Sequence, residues 1–377
     1  MKFRVERDAL ADAVAWTAKS LPNRPSVPVL AGVMLRLAGD TLEVSGFDYE
    51  VSSQATVDVH GAADGAALVS GRLLAEITKA LPAKPVDIAA VGAHLELVCG
   101  SARFTLPTMP VEDYPTLPDM PASAGTVEAA AFAAAVQQVA VAAGRDETLP
   151  MMTGVRIELN GSTLAMLATD RYRLALREIQ WRPDDPAVSL NALVPARTLA
   201  DTAKTLGPLG GEVTLALAHG GAGEGMIGFA GGARRTTSRL LDGANYPPVR
   251  SLFPKTHNAQ ARVAVAALVE VVKRVALVAE RATPVLLSFS PDGLVVEAGG
   301  TEEARASEAM DAVFTGEPLT IGFNPQYLID GMQNVGSAIA LLSFVDAFKP
   351  AVICPATEDG EAVPGYRYLI MPIRVSR

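Results

Sequence analysis

The chain has 377 residues, of which 49% are hydrophobic and 19% charged, so it is long enough for two or three domains with sizeable cores. Its net charge of −9 argues against a protein that holds nucleic acid by bulk electrostatic attraction. It has no apolar run near the ~20 residues of a membrane span, and its opening MKFRVERDAL lacks the apolar centre of a secretory signal. Its two cysteines lie far apart in sequence, as in a reducing compartment, so we predict a cytoplasmic protein.

The first predicted elements are a short strand and an Ala/Val-rich amphipathic helix, and this opening occurs three times along the chain. Its copies cover residues 3–21, 125–143 and 261–279. Leu10, Phe132 and Leu268 take matching places in the three copies, where apolar residues at helical spacing predict a packed face. Internal repetition is therefore the main feature of this sequence.

A pair of strands joined by a tight turn is predicted after each of these helices, over residues 29–52, 151–178 and 285–300. The turns read Ala-Gly-Asp, Asn-Gly-Ser and Pro-Asp-Gly between alternating apolar residues, which is the chemistry of a β-hairpin. The first two copies align at a constant offset of 122 residues, which relates Gly32 to Gly154, Leu42 to Leu164 and Asp48 to Asp170.

A second helix is predicted in each copy, over residues 69–81, 194–206 and 323–335. Arg72 and Arg197 correspond at an offset of 125, and Gln326 takes that place in the third copy. Further strands close each unit, where Tyr114-Pro115 matches Tyr246-Pro247. We therefore predict an α+β fold of three β-α-β-β-β-α-β domains, at residues 1–122, 123–257 and 258–377, with linkers rich in Pro, Ala, Ser or Asn. Repetition alone is equally compatible with a triplicated scaffold of unknown use.

The sequence offers little for catalysis. Its four histidines do not lie at metal-ligand spacing, and the phosphate-binding patterns GxGxxG and GxxxxGK[ST] are absent, so we predict no metal and no cofactor. The glycine cluster at 219–235 joins two predicted strands, which favours a hairpin over a phosphate loop. Asp170 is the best lone carboxylate, but Asp48 stands at its repeat position, which favours a turn over acid–base catalysis. We predict that the protein is not an enzyme.

Several segments together resemble the β subunit of bacterial replicative DNA polymerase, the β sliding clamp family. They are NRPSVPVL (23–30), LATDRYRLA (167–175), SRLLDGANYPPVRSLFP (238–254), IGFNPQYLID (321–330) and YRYLIMPIRV (366–375). The resemblance covers the whole chain and implies three clamp-type domains, each with two helices packed on antiparallel sheets. It also implies that two copies close head-to-tail into a six-domain ring around double-stranded DNA. By position, Phe104 and Leu106 would meet Leu277 and Val278 across that homodimer interface; alternatively, all four belong to the cores of their own domains.

A ring removes the objection raised by the net charge, because topological linkage replaces tight, salt-sensitive binding. The basic residues that the resemblance or the repeat places toward the DNA are Arg24, Arg72, Arg145 and Arg197. Arg24 takes a position that the family uses for a phosphate contact. Arg72 and Arg197 rest on their repeat positions, and each is equally explained as a solvated helix charge.

The resemblance also implies a hydrophobic pocket for a short linear motif of partner proteins, namely the polymerase catalytic subunit, the clamp loader, other polymerases and repair proteins. By position its walls are Met152, Thr169, Arg171, Tyr172, Arg173, Leu174, Pro247, Leu252, Leu369 and Met371. A shallower part comprises Asn324, Tyr327, Pro372 and Ile373.

An apolar cleft with a few polar groups suits Leu and Phe anchors of an extended peptide, although plain core packing is the alternative for Met152, Leu174 and Leu369. The family commonly has Gly-His where this chain has Arg171-Tyr172, so we expect a reshaped pocket mouth. Two other classes of function remain open: an enzyme with a site between repeats, and a monomeric adaptor that binds protein without encircling DNA.

Overall fold

A computed structural model describes residues 1–22, 25, 27–218, 225–279, 283–299 and 304–374. Over these residues, each repeat forms nine strands around two α-helices. The first repeat comprises β1 (Lys2–Val5), α1 (Arg7–Ala18), β2 (Gly32–Ala38), β3 (Thr41–Phe47), β4 (Val51–Asp58), β5 (His60–Ala63), β6 (Gly65–Ser70), α2 (Gly71–Ala80), β7 (Val86–Val91), β8 (His94–Cys99) and β9 (Ala102–Met109).

The other two repeats follow the same order of elements. The second comprises β10 (Ser123–Glu128), α3 (Ala129–Ala140), β11 (Gly154–Asn160), β12 (Thr163–Thr169), β13 (Arg173–Gln180), β14 (Arg182–Pro183), β15 (Ser189–Pro195), α4 (Ala196–Leu206), β16 (Glu212–Ala218), β17 (Met226–Gly231) and β18 (Arg234–Arg239). The third comprises β19 (Ala259–Ala264), α5 (Val265–Val275), β20 (Val285–Ser290), β21 (Gly293–Ala298), β22 (Ala306–Met310), β23 (Val313–Thr315), β24 (Leu319–Phe323), α6 (Pro325–Gln333), β25 (Ile339–Phe344), β26 (Ala351–Ala356) and β27 (Tyr366–Ile370).

Repeat-related residues occupy the same place in these elements. Leu10, Phe132 and Leu268 are each the fourth residue of their helix, and each is fully buried. The predicted number of five strands in each repeat is wrong, because the structure has nine. The additional strands include very short ones such as Arg182–Pro183 and Val313–Thr315, which are too short to show a clear alternation of apolar residues.

The chain divides into two compact units, and the second repeat contributes to both. Unit 1 contains residues 1–130, 182–185 and 201–240, and unit 2 contains residues 131–181, 186–200 and 241–377. Unit 1 holds a 14-stranded sheet in the order β14-β10-β16-β17-β18-β4-β3-β2-β6-β9-β8-β7-β1-β5. Unit 2 holds a nine-stranded sheet, β15-β11-β12-β13-β27-β26-β25-β19-β23, and a four-stranded sheet, β22-β21-β20-β24.

These sheets continue from one repeat into the next. In unit 1, β18 of the second repeat pairs antiparallel with β4 of the first, and Arg234 lies opposite Ala55. In unit 2, β13 of the second repeat pairs with β27 of the third, and Leu174 lies opposite Leu369. The exact domain boundaries remain sequence predictions, since backbone hydrogen bonds run across the repeats.

In unit 2, side-chain hydrogen bonds join the second repeat to the third near the candidate site. The Gln138 amide on α3 donates to the carbonyls of Asn334 (3.1 Å) and Val335 (3.4 Å), just beyond α6. The buried Tyr366 hydroxyl donates to the Gln138 carbonyl at 3.4 Å. These contacts fix α3, α6 and β27 against each other and so position the residues of the site.

Candidate binding site

The turn between β12 and β13 is organised by the side chain of Asp170. Its Oδ1 accepts hydrogen bonds from the backbone N–H groups of Tyr172 and Arg173, each at 3.0 Å. The Thr169 hydroxyl accepts from the Arg171 N–H at 3.1 Å and donates to the Arg173 carbonyl at 2.6 Å. Arg171 has a φ of 79°, in the left-handed region that costs a non-glycine residue free energy.

The same turn occurs at the repeat-related position between β3 and β4. Asp48 Oδ1 accepts from the N–H groups of Glu50 (2.9 Å) and Val51 (2.6 Å), and Tyr49 has a φ of 74°. The structure therefore confirms that Asp170 acts in a turn, as its match with Asp48 predicts. This role is a common one for Asp, whose short carboxylate accepts from N–H groups two and three residues ahead.

Arg173 connects this turn to helix α6. Its guanidinium forms ion pairs with Asp170 (3.0 Å) and with Asp330 of α6, and it lies 4.4 Å from the centre of the Tyr327 ring. All three charged side chains are mostly buried. Burial alone lowers the pKa of Arg173, but the polar groups of Tyr368, Asp330 and Asp170 raise it above its ordinary value, so the guanidinium stays charged.

A cavity of 320 Å³, which we call the apolar pocket, lies beside this network. Leu174 and Leu369 are almost fully buried, whereas Leu252 is 54% exposed. Met371 donates its backbone N–H to the Tyr172 carbonyl at 2.9 Å, which holds the end of β27 against the turn. The lining residues are Met152, Thr169, Arg171, Arg173, Leu174, Pro247, Val249, Leu252, Pro350, Leu369 and Met371.

A second cavity of 680 Å³, which we call the polar cleft, adjoins the apolar pocket and shares Met152, Arg171 and Arg173 with it. The Tyr172 and Tyr327 rings, which both line the cleft, stack with their centres 6.3 Å apart. The remaining residues of the cleft are Ala140, Val141, Ala143, Gly144, Arg145, Asp146, Leu149, Asp170, Gln326 and Asp330.

The structure brings nine of the ten predicted wall residues around the apolar pocket, and Tyr172 lines the polar cleft instead. Of the predicted shallower part, Tyr327 also lines the cleft. Asn324 caps α6 by accepting from the N–H groups of Gln326 and Tyr327. Neither Pro372 nor Ile373 lines either cavity, and the Ile373 N–H donates to the Gly322 carbonyl.

Sequence reasoning missed two residues of the apolar pocket, Val249 and Pro350. Val249 follows the Pro247-Pro248 pair and is buried, and Pro350 precedes strand β26. Val249 could have been predicted from the sequence, because it lies two residues after Pro247, which was already placed in the pocket wall. Nothing in the local pattern around Pro350 relates it to a pocket built mainly by the second repeat.

The four basic residues predicted to face DNA lie at separate places. Arg72 and Arg197 are exposed and are each the second residue of their helix, α2 and α4, as the repeat predicts. Arg145 is exposed and lines the polar cleft. Arg24 lies outside the described residues.

The predicted interface residues differ in how much surface they offer. Phe104 is 37% exposed on β9, and Leu277 is 84% exposed in a short 3-10 helix, while Val278 is half-buried. Leu106 is 1% exposed and belongs to the core of unit 1. It has almost no surface for a partner, which favours the core alternative for this residue.

Three family models together match almost the whole chain. They are the N-terminal, central and C-terminal domains of the DNA polymerase III beta subunit, at residues 1–118, 126–248 and 250–374. The chain belongs to this family. It therefore has three clamp domains, and its family implies DNA and a polymerase as partners.

Known sliding clamps resemble the chain over its full length. The beta sliding clamp of Streptomyces coelicolor is 54% identical, with complete coverage of both chains. A crystal structure of the Pseudomonas aeruginosa sliding clamp bound to griselimycin superposes with a TM-score of 0.90 at 27% identity, covering all of both chains. The Bacillus subtilis sliding clamp structure gives the same values. These comparisons show the function of a DNA sliding clamp and do not favour the monomeric adaptor.

Other kinds of site find no support in the part of the chain that is described. There, no three His, Cys, Asp or Glu side chains lie together as a metal site would require. No described helix is long and apolar enough to cross a membrane. The glycine cluster begins after strand β16, and β16 pairs antiparallel with β17, with Ala218 opposite Met226. Its residues 219–224 are outside the described part.

Proposed function

We propose that two copies of this chain close into a ring around duplex DNA, and that the apolar pocket of each copy tethers polymerases and repair proteins. The ring has no catalytic activity of its own, needs no cofactor, and works in the cytoplasm. The observation that carries the peptide-binding part is the apolar pocket itself, an open cavity whose floor is apolar and whose rim includes charged groups.

The chemistry of the pocket suits a short extended peptide. Leu174 and Leu369 provide a buried apolar floor, and the exposed Leu252 and Met371 form adaptable parts of the rim. An apolar side chain of a partner that enters the pocket removes exposed leucine and methionine surface from water, which favours binding. The partners we propose are the replicative polymerase catalytic subunit, the clamp loader, and other polymerases and repair proteins that carry such anchors.

Two strand edges support ring closure by pairing between copies. Within the described residues, the segment 102–107 of β9 pairs only with β8, and β22 pairs only with β21. Unpaired edges are templates for pairing with another chain. The exposed Phe104 lies on the first edge strand, and we propose that it meets Leu277 and Val278 of the second copy. Leu106 supports its own core and is not part of the proposed contact.

Encirclement explains how a chain with a net charge of −9 can stay on DNA. A closed ring is retained without tight phosphate binding, so weak contacts that break easily are sufficient. We propose that Arg72, Arg145 and Arg197 make such contacts, since all three are exposed. Arg24 is proposed for the same role from its sequence position alone.

Loading on circular DNA tests the ring. The protein is loaded onto nicked circular DNA by its cognate clamp loader with ATP, and gel filtration at elevated salt separates bound from free protein. We expect retention on the circle and release after the circle is linearised. A protein that stays free, while a control clamp loads normally, would contradict encirclement.

Peptide binding is tested separately by fluorescence anisotropy, with a labelled segment of the cognate polymerase subunit that carries Leu and Phe anchors. Griselimycin, the ligand of the Pseudomonas aeruginosa structure, serves as competitor. We expect saturable binding and displacement by griselimycin. A peptide that does not bind, while the protein still loads onto DNA, would reject the pocket and leave the ring in place.

A further inference from the structure

Arg171 stands where the two cavities share lining residues. It lines both the apolar pocket and the polar cleft, and its side chain is exposed. Among the described residues, Arg171 forms no ion pair within 4 Å, whereas Arg173 beside it is paired with Asp170 and Asp330. Arg171 is therefore the cation of the apolar pocket that remains available to a ligand.

The backbone fixes the place of this charge. The Thr169 hydroxyl accepts from the Arg171 N–H, and the Asp170 carboxylate accepts from the next two N–H groups. Arg171 takes a positive φ that glycine adopts without cost. Because Tyr49 has a similar φ of 74° in the equivalent turn, the geometry belongs to the repeat, and only the guanidinium is particular to this site.

The carboxylate of Asp146 interacts electrostatically with Arg171 but forms no ion pair with it within 4 Å. Asp146 also lines the polar cleft, and its Oδ1 accepts from the Thr148 hydroxyl (2.6 Å) and N–H (3.0 Å). These hydrogen bonds, with a smaller contribution from the charge of Arg171, hold the pKa of Asp146 below its ordinary value. Asp146 is thus a negatively charged neighbour that competes with any acidic ligand for Arg171.

We propose that Arg171 binds an acidic side chain of the partner peptide, placed next to the apolar anchors at the junction of the apolar pocket and the polar cleft. This inference rests on the proposed peptide binding and adds a determinant of partner choice. The two cavities share Met152, Arg171 and Arg173, and an extended chain advances only about 3.3 Å per residue, so peptide residues next to an apolar anchor come near the cleft. A peptide is favoured over a nucleic acid strand here because the apolar pocket, which shares Arg171 with the cleft, accepts apolar side chains, and a phosphate backbone has none.

The test compares matched peptides with matched variants. In the labelled polymerase peptide, each position flanking the anchors is changed in turn to Asp, Asn or Lys, and dissociation constants are measured by anisotropy at low salt. For the best Asp peptide, Arg171→Gln is expected to weaken binding about two- to fivefold, the range of an exposed ion pair, and Asp146→Asn to strengthen it. Both variants should leave the Asn peptide unchanged, and added salt should remove the difference.

Two further variants separate charge from folding and from general electrostatics. Arg171→Gly relieves the positive φ and should match Arg171→Gln in affinity, while Arg36→Gln, which removes an exposed charge on β2 of unit 1, should have no effect. Equal effects of Arg171→Gln on the Asp and Asn peptides, or none on either, would overturn the inference. Competition by a single-stranded oligonucleotide that depends on Arg171 would assign the cleft to nucleic acid instead. Loss of binding for every peptide with the unaltered protein would reject peptide binding itself.

Discussion

Tyr114 and Tyr246 occupy equivalent places in the first two repeats, but only Tyr114 has a hydrogen-bond partner for its hydroxyl among the described residues. The Tyr114 oxygen accepts from the Phe47 N–H at 2.8 Å, whereas the buried Tyr246 oxygen has none. Both rings are more than nine-tenths buried. The second repeat therefore keeps a buried hydroxyl that no described protein group pairs with, next in sequence to Pro247, which lines the apolar pocket with Val249.

This difference predicts opposite effects of one substitution. Tyr114→Phe leaves the buried Phe47 N–H unpaired and should destabilise the protein by about 1–3 kcal/mol. Tyr246→Phe removes an unsatisfied hydroxyl and should be neutral or stabilising by about 1 kcal/mol. Calorimetry at pH 7 measures both, with a shift in melting temperature of about 1–2 °C expected for each kcal/mol in a chain of 377 residues. A fall in melting temperature for Tyr246→Phe would show that its hydroxyl has a partner after all.

Removing Arg173 should destabilise unit 2 strongly. Arg173→Met leaves Asp170 and Asp330 as mostly buried carboxylates without a counter-charge, for a cost of about 3–5 kcal/mol. The matched control carries Asp170→Asn and Asp330→Asn together with Arg173→Met, and it should regain much of the lost stability. Urea unfolding gives the comparison, and equal stability of Arg173→Met and the unaltered protein would contradict this account.

The rim of the apolar pocket should contribute to peptide affinity without contributing to folding. Leu252 is 54% exposed, so Leu252→Ala should leave the melting temperature unchanged and weaken the polymerase peptide about tenfold. Leu209, which is 46% exposed in unit 1, provides the control variant Leu209→Ala. Equal affinities for the two variants would exclude Leu252 from the peptide site.

A charge at the proposed subunit contact should separate the two copies. Phe104→Arg and Leu277→Arg each bring an unpaired charge into an apolar contact, so analytical ultracentrifugation should show a shift from dimer toward monomer. Both variants should also fail to stay on circular DNA. Leu209→Arg serves as the surface control, and a dimer that persists in both test variants would place the interface elsewhere.

Buried tyrosines predict a loss of stability in alkaline solution. Burial raises the pKa of Tyr114 and Tyr246 to about 12 and also raises the pKa of Tyr366 and Tyr368. Between pH 10 and 12 the folded state therefore binds more protons than the unfolded state, so the free energy of unfolding falls as pH rises. Denaturant midpoints, followed with tyrosinate absorbance, check this, and a constant midpoint up to pH 12 would contradict it.

The repeat was readable from sequence because the same packing requirement recurs in each copy. Leu10, Phe132 and Leu268 fill the same place in the three first helices, and Asp48 and Asp170 organise the same turn. The missed strands are short and lie between clearer elements, where two to five residues cannot establish a period. The division of the second repeat between two compact units was also not readable, since it depends on pairing between distant strands.

Site residues were predictable from sequence where the residue type fixes the local structure, as Asp170 does in its turn. The exposure of a side chain was less predictable where it depends on how far the hydrophobic core extends. Phe104 and Leu106 share one face of β9, yet one is 37% exposed and the other 1%, because the core ends between them. Val249 and Pro350 reach the apolar pocket through loops whose path the local sequence does not show. Most residues of the pocket walls were predicted from the family resemblance, whereas the polar cleft was recognised only in the structure.

The strand ladders that cross the repeats have a mechanical consequence for the proposed ring. Separating the first repeat from the second requires breaking the β4–β18 ladder, and separating the second from the third requires breaking the β13–β27 ladder. Each of these joints resists load through several backbone hydrogen bonds acting in parallel. The proposed contact between separate copies has no covalent link and would rely on a few apolar side chains and strand edges. A loader that applies force to the proposed ring would therefore open it at that seam before the strand ladders within a copy break.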